Sequence, residues 1–169
     1  MRRTAFVLTA LCAMILSAQA SAAPSRTLAP CSGSHLTGRV AGSSGAAGTI
    51  ALSIRLRNVS NQSCTMRGYP RLRIVNGTSR LPTRVTHGGL SILNRPVQTV
   101  RLDPGEVASI LITYEDVPVG SETTCASGTA LLVRPPASAS VVRVKATTTA
   151  CGRGHLWTSP ILAGRVGLN

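Results

Sequence analysis

The stretch that decides the fold is Ile50-Ala51-Leu52-Ser53-Ile54-Arg55-Leu56-Arg57. Large apolar residues occupy every second position, and small or polar residues lie between them. Because successive side chains of a strand point to opposite faces, this alternation predicts a strand with one face in a core and the other in solvent. The polar segment 58–63 that follows is rich in Asn and Ser and predicts a turn.

Working outward, the same signals recur along the chain. Asp103-Pro104-Gly105 places proline and glycine where a type II turn prefers them, and it predicts a hairpin between its two flanking strands. No helical period persists for three turns, so the pattern predicts an all-β, two-sheet antiparallel sandwich in one domain. Two longer irregular stretches, Thr78–Pro96 and Pro118–Ser127, are the loops where such a fold usually binds its ligands. The further predicted strands are Arg71–Ile74, Val97–Leu102, Val107–Tyr114, Ala130–Arg134, Val141–Thr147 and His155–Ser159.

The first residues are typical of a secretory signal peptide. A basic start at Arg2-Arg3 precedes an apolar run, and Ala18-Gln19-Ala20 is a small-x-small cleavage pattern. We therefore expect a cleaved signal over 1–20, a flexible leader over 21–30, a β-sandwich domain over 31–162 and a C-terminal tail over 163–169. We expect the mature protein to be secreted or extracellular, with association to the envelope as the alternative. We expect it to have no membrane span and to be a monomer.

Four cysteines remain after cleavage, namely Cys31, Cys64, Cys125 and Cys151. An even number in an exported chain favours two disulfides over a metal site. Of the three possible connectivities we favour Cys31–Cys64 and Cys125–Cys151, because each joins sequence neighbours and ties one end of the chain to the sandwich. The alternative is a small metal-binding protein that uses two Cys-x-x-x-His pairs, which end at His35 and His155. Zinc sites prefer closer ligand spacing, so we expect no metal and no cofactor.

The spacing of several motifs resembles a known family. These motifs are Gly45-Ala46-Ala47-Gly48, Cys64-Thr65-Met66-Arg67-Gly68-Tyr69-Pro70, Leu102-Asp103-Pro104-Gly105-Glu106, Leu132-Val133-Arg134-Pro135-Pro136 after Cys125, and Ser159-Pro160-Ile161 after Cys151. Together they resemble the actinobacterial exported family catalogued as domain of unknown function 4232, from about Cys31 to Ile161. The resemblance implies an immunoglobulin-like sandwich with paired cysteines and implies no activity. Tyr114 departs from the tryptophan expected there, and the arginine content is unusually high.

Catalytic signals are weak. The mature chain has five acidic residues, and none belongs to a recognisable catalytic pair; nucleophile-elbow and phosphate-loop motifs are also missing from the sequence. We therefore predict a non-enzymatic protein. The alternative is a secreted hydrolase whose site is built from loop residues around His87.

The net charge is the sequence feature that is most informative about function. The formal net charge is +13, or +11 once Arg2 and Arg3 are removed, and nearly all of it comes from arginine. Such a field attracts anionic polymers and surfaces, and the planar guanidinium suits phosphate, sulfate and carboxylate groups. Three strands present basic pairs on their polar faces, and if these strands are neighbours they form one anion-binding face: Arg55, Arg57, Arg71, Arg73, Arg143 and Lys145.

The partners expected for this face are envelope polyanions, anionic lipid headgroups or an extracellular protein. Nucleic acid is an unfavourable partner, because binders of single strands use aromatic side chains for stacking and the mature chain has only Tyr69, Tyr114 and Trp157. Trp157 is the one candidate for an exposed aromatic, although a core role is favoured. We predict a binding or interaction module at the cell envelope.

Overall fold

A computed structural model describes residues 27–168; the predicted signal peptide and most of the predicted leader lie outside the described residues. Over these described residues the fold is all-β and sandwich-like, with twelve strands in three sheets. In chain order the strands are β1 Leu36–Ala46, β2 Thr49–Asn58, β3 Cys64–Arg67, β4 Arg71–Asn76, β5 Ser79–Arg80, β6 Arg84–His87, β7 Thr99–Leu102, β8 Val107–Glu115, β9 Ala126–Arg134, β10 Val142–Ala150, β11 His155–Thr158 and β12 Leu162–Ala163.

Two main sheets enclose the core. The first has the order β1-β2-β8-β11-β6, with β12 also paired to β8, and the second has the order β10-β9-β4-β5. A small third sheet pairs β3 with β7. All strand pairs are antiparallel except β6 with β11, which run parallel.

The alternation in β2 determines which of its faces meets the core. Leu52, Ile54 and Leu56 are buried with side chains of β8 on the same sheet, and across the core they share one cluster with β4, β9 and β10. The intervening Arg55 and Arg57 therefore point to the outer surface. The other principal core residues are Ile74, Ile110, Ile112, Leu131, Val133 and Val144.

The predicted hairpin around Asp103-Pro104-Gly105 is wrong, although the turn forms. Glu106 N–H donates to the Asp103 carbonyl at 3.0 Å, and Gly105 has φ +82°, as a type II turn requires. However, β7 pairs with β3, while β8 pairs with β2 and β11. The physical reason is that an unprimed turn splays its flanking strands, whereas hairpins use the primed types.

Two predicted boundaries also differ from the structure. The stretch Thr78–Pro96 contains β5, β6 and a 3-10 turn at Ser91–Leu93, because β6 gains its hydrogen bonds from the distant β11. At the C-terminal end the domain continues past residue 162, since Ala163 pairs with Ala108 of β8. Tyr114, noted as a departure from the family pattern, is buried in the core.

Both disulfides form with the connectivity favoured from the sequence. Cys31 bonds to Cys64 with a Cα–Cα distance of 4.9 Å, and Cys125 bonds to Cys151 with a Cα–Cα distance of 4.3 Å. The first anchors the N-terminal end of the domain to β3, where Cys31 N–H also donates to the Thr65 carbonyl. Two disulfides are typical of an oxidising environment outside the cytosol. Within residues 27–168, every helix is too short to cross a membrane.

Candidate anion-binding site

Four arginine side chains surround one cleft on the outer surface of the first sheet. The cleft has a volume of about 450 Å³, a size typical of sites for small ligands. We call it the arginine cleft. Its lining residues are Thr37, Gly38, Arg39, Arg55, Arg57, Gly105, Val107 and Arg165.

Strand register places two of these arginines side by side. In the β1–β2 pair Arg39 lies directly opposite Arg55, and Thr37 lies opposite Arg57. Directly opposed side chains on antiparallel strands have Cβ atoms roughly 5 Å apart, and like charges in that arrangement destabilise the pair. The sheet therefore holds the backbones of two arginines directly opposite each other, on the same face.

The C-terminal segment brings the fourth arginine to the cleft. Ser109, which is fully buried, donates through its hydroxyl to the Gly164 carbonyl at 2.7 Å and accepts from Val166 N–H at 3.0 Å. The Ser53 hydroxyl donates to the Val166 carbonyl at 2.7 Å. These bonds hold the segment on either side of Arg165 against the outer face of β2 and β8.

The turn after β7 forms another wall of the cleft. Asn58 N–H donates to the Glu106 carbonyl at 3.0 Å, and Gly105 N–H donates to the Asn58 carbonyl at 2.9 Å. These bonds fix the turn beside the end of β2. A Cβ atom at position 105 would lie 3.5 Å from the Arg57 guanidinium, an ordinary van der Waals distance, so this turn lies directly beside the side chain of Arg57.

No acidic side chain of the described region lines the arginine cleft. Among residues 27–168 the only ion pair within 4 Å joins Arg101 to Asp103. The Asp103 carboxylate also accepts from the Ser63 hydroxyl, and these two contacts hold the pKa of Asp103 below its usual value. Arg55 Nε is buried and has no hydrogen-bond partner in the described region. The cleft therefore presents concentrated positive charge, and guanidinium groups are suited to bidentate contacts with an anion.

The six basic residues predicted as one face are divided between two sheets. Arg55 and Arg57 belong to the first sheet, at the arginine cleft. The other four belong to the second sheet, on strands whose inward neighbours fill the same core. These are Arg71, Arg73, Arg143 and Lys145.

Two residues of the cleft, Arg39 and Arg165, were not predicted from the sequence. Arg39 lies in a glycine-rich segment without clear alternation, although its position two residues after Thr37 is consistent with an outward strand position. Arg165 lay in the predicted tail. Its role depends on the buried Ser53 and Ser109, which the sequence pattern alone shows only as polar residues of two strands.

The four cysteines and His155, which are candidates for a metal site, have other partners. All four cysteines are in disulfides, which removes the thiolates that a metal would need. His155 accepts at Nδ1 from the Arg84 guanidinium at 2.8 Å; because arginine only donates, Nε2 carries the proton and donates to Thr86 Oγ1. Burial and the charge of Arg84 lower the pKa of His155.

The Glu122 carboxylate lies near the second disulfide. It accepts from the backbone N–H groups of Gly152 at 2.6 Å and Arg153 at 3.0 Å. Those bonds hold the pKa of Glu122 below its usual value. The carboxylate therefore fixes the short turn Cys151–Gly154, in which Gly152, Arg153 and Gly154 all have positive φ.

His87, the candidate residue for a hydrolase site, stacks on Tyr69. The ring centroids are 4.0 Å apart and the planes differ by 4°. One face of the imidazole is therefore covered by an aromatic ring of the Cys-x-x-x-Gly-Tyr-Pro motif.

Trp157 is partly buried at the outer face of the first sheet. Its ring lies 3.8 Å from that of His155, and Gly89 approaches its edge so closely that a Cβ atom there would lie 2.8 Å from Cδ1. A small cavity of about 200 Å³ lies beside it, lined also by Leu90, Thr113 and Glu115 among others. Trp157 thus mainly supports the loop that covers β11.

Comparison with known proteins places the chain in a family. Residues 31–161 match the model described as Domain of unknown function (DUF4232), so the chain belongs to that family. No curated protein and no solved structure matches the chain.

Proposed function

We propose that this protein is a secreted, non-catalytic binding module that holds anionic polymers of the cell envelope in its arginine cleft. The observation that supports this is the convergence of Arg39, Arg55, Arg57 and Arg165 on one cleft without a lining carboxylate. The two disulfides support export, because they form and persist in oxidising compartments. Two layers over a single core, antiparallel apart from the β6–β11 pair, support an immunoglobulin-like sandwich, as the family resemblance implies.

The residues that line the cleft favour a polyanion over a lipid surface as its ligand. Its only sizeable apolar side chain is Val107, whereas proteins that insert into membranes present several large apolar groups together. The large apolar residues that are exposed in the described region lie outside the cleft and include Val59, Leu90, Val117 and Val119.

The test is retention of the mature protein on purified envelope fractions over a salt series. Arg55→Ser/Arg57→Ser should elute at much lower salt than wild type, because two ionic contacts are lost and binding of polyanions depends on salt through released counterions. The matched control is Arg80→Ser/Arg95→Ser, which removes the same formal charge from two exposed positions that do not line the cleft and form no ion pair in the described region.

Three outcomes contradict the proposal. The first is elution of both variants together, which would show a response to net charge alone. The second is elution of all three proteins below about 0.15 M salt, where exposed charges are already strongly screened. The third is retention of wild type by anionic vesicles and not by envelope polymer, which would replace the polymer with a lipid ligand.

A further inference from the structure

Basic side chains continue from the arginine cleft across neighbouring strands. Five strands are adjacent in the series β2, β1, β10, β9 and β4, and each of them contributes at least one basic residue with an exposed or partly exposed side chain. We call this set the basic belt. Its members are Arg39, Arg55, Arg57, Arg71, Arg73, Arg134, Arg143 and Lys145.

The series is continuous because the two sheets meet at one edge. A Cβ atom on Gly38 of β1 would lie 2.6 Å from Val144 Cγ2 of β10, so glycine allows these two edge strands to pack closely. The Ser32 and Ser140 hydroxyl groups, which lie just before β1 and β10, are joined by a hydrogen bond of 2.8 Å. The other three steps in the series are antiparallel pairs with hydrogen bonds: β2–β1, β10–β9 and β9–β4.

On the second sheet the basic residues lie in rows across the strands. Arg71 of β4 is directly opposite Arg134 of β9. Arg73 and Arg143 lie on either side of Leu132, with which both are in register. Arg143 donates to the Gly77 carbonyl at 2.9 Å, so its side chain extends across the outer surface of β9.

The belt has no acidic residue within it. The five strands contain no Asp or Glu, and the only ion pair in the described region, Arg101–Asp103, is on β7 and the turn after it. Aligned like charges such as Arg39–Arg55 and Arg71–Arg134 disfavour the folded state. A bound polyanion would relieve that repulsion at every row simultaneously.

We infer that the basic belt binds one linear polyanion, which runs across the strands from the arginine cleft around the β1–β10 edge to the second sheet. This inference rests on the proposed function and adds the length of the ligand. Hydrogen-bonded neighbouring strands are about 4.8 Å apart, and strands packed across two sheets are about 10 Å apart. Three steps of the first kind and one of the second give a path of roughly 25 Å from β2 to β4, measured between strand backbones. A ligand confined to the cleft would leave most of the belt unoccupied.

The experiment compares inorganic tripolyphosphate with inorganic polyphosphate chains longer than the belt, by calorimetry at fixed salt. Long chains should bind wild type at one chain per protein and at least about tenfold more tightly than tripolyphosphate, because contacts beyond the cleft become intramolecular once the cleft is occupied.

The diagnostic variant is Arg143→Ser/Lys145→Ser on β10, outside the cleft. It should lose the advantage of long chains and keep the tripolyphosphate affinity of wild type. The Arg143→Gln/Lys145→Gln variant retains donors at both positions without the charge and should behave in the same way. Arg80→Ser/Arg95→Ser is the control, because it removes equal formal charge from exposed positions outside the belt, and it should change the ratio of the two affinities little.

Equal affinity of wild type for long and short chains would overturn the belt while leaving the cleft in place. So would binding of two long chains per protein, or an equal loss of tripolyphosphate and long-chain affinity in the β10 variant. Failure of wild type to bind either polyphosphate would overturn both the belt and the proposed function.

Discussion

Replacing Asn58 by alanine should lower the free energy of unfolding by about 3 kcal/mol. Asn58 has no exposed surface, and its side-chain amide forms four hydrogen bonds. Nδ2 donates to the carbonyls of Gln62 at 2.8 Å and Leu102 at 3.1 Å, while Oδ1 accepts from the backbone N–H of Ser60 at 3.0 Å and its hydroxyl at 2.8 Å. The residue therefore holds the turn after β2 and joins it to the end of β7.

The magnitude follows from where those partners lie. The hydrogen bond from Asn58 to the Leu102 carbonyl is buried. Leaving a buried polar group without a partner costs about 1–3 kcal/mol. The Gln62 and Ser60 groups are only partly buried, so water replaces Asn58 there and each lost bond costs about 0.5–1 kcal/mol. Asn58→Asp should be at least as destabilising at pH 7, because a carboxylate cannot donate to two carbonyl oxygens.

The assay is urea unfolding of the oxidised mature protein, with the slope of free energy against urea compared between variants to verify an unchanged two-state transition. Asn61→Ala, an exposed position in the same turn, is the matched control and should change the stability by less than about 0.5 kcal/mol. A loss below about 1 kcal/mol for Asn58→Ala, or equal losses for the two alanine variants, would refute the reasoning.

Three further predictions concern one disulfide, a glycine and a histidine. Replacing Cys31 and Cys64 together by alanine opens a loop with a sequence separation of 33 and should lower the unfolding free energy by about 4 kcal/mol on the loop-entropy relation; a loss under about 1 kcal/mol by urea unfolding would contradict it. Gly154→Ala should reduce the melting temperature far more than Gly77→Ala. Both glycines have positive φ, but a Cβ atom at position 154 would collide with the Pro82 carbonyl, whereas a Cβ atom at position 77 would have no atom within 4 Å. Equal decreases in melting temperature would show that the cost comes only from placing alanine at positive φ, not from the collision. Because the pKa of His155 is lowered by folding, the unfolded chain binds the proton more readily, so wild type should lose stability as the pH falls below about 6.5. His155→Gln should lose less between pH 7 and pH 5, and identical pH profiles would exclude this histidine as the cause.

The elements of this fold were predictable where one strand carries its own signal. The alternation from Ile50 to Leu56 predicts both the existence of β2 and the outward direction of Arg55 and Arg57, because the period of a strand is a local property of the backbone. The same reasoning applies to β4 and β10. The favoured disulfide pairs are also those of the structure.

Pairing between strands was not predictable in the same way. The type II turn at Gly105 was predicted correctly, yet β7 and β8 separate to different sheets, because the partner of a strand depends on long-range packing and on turn handedness. β6 has only a weak pattern of its own and is stabilised by parallel pairing with β11.

By itself, therefore, the sequence determined an all-β chain with two disulfides, outward-facing arginines and a strong positive charge, since periodicity and charge are local or additive properties. The tertiary structure alone decided which arginines meet. It separated Arg55 and Arg57 from Arg71 and Arg73, placed Arg39 opposite Arg55 through register, and brought Arg165 to the cleft through hydrogen bonds from distant strands. Those relations depend on contacts between residues far apart in the chain, for which a single sequence holds no periodic signal.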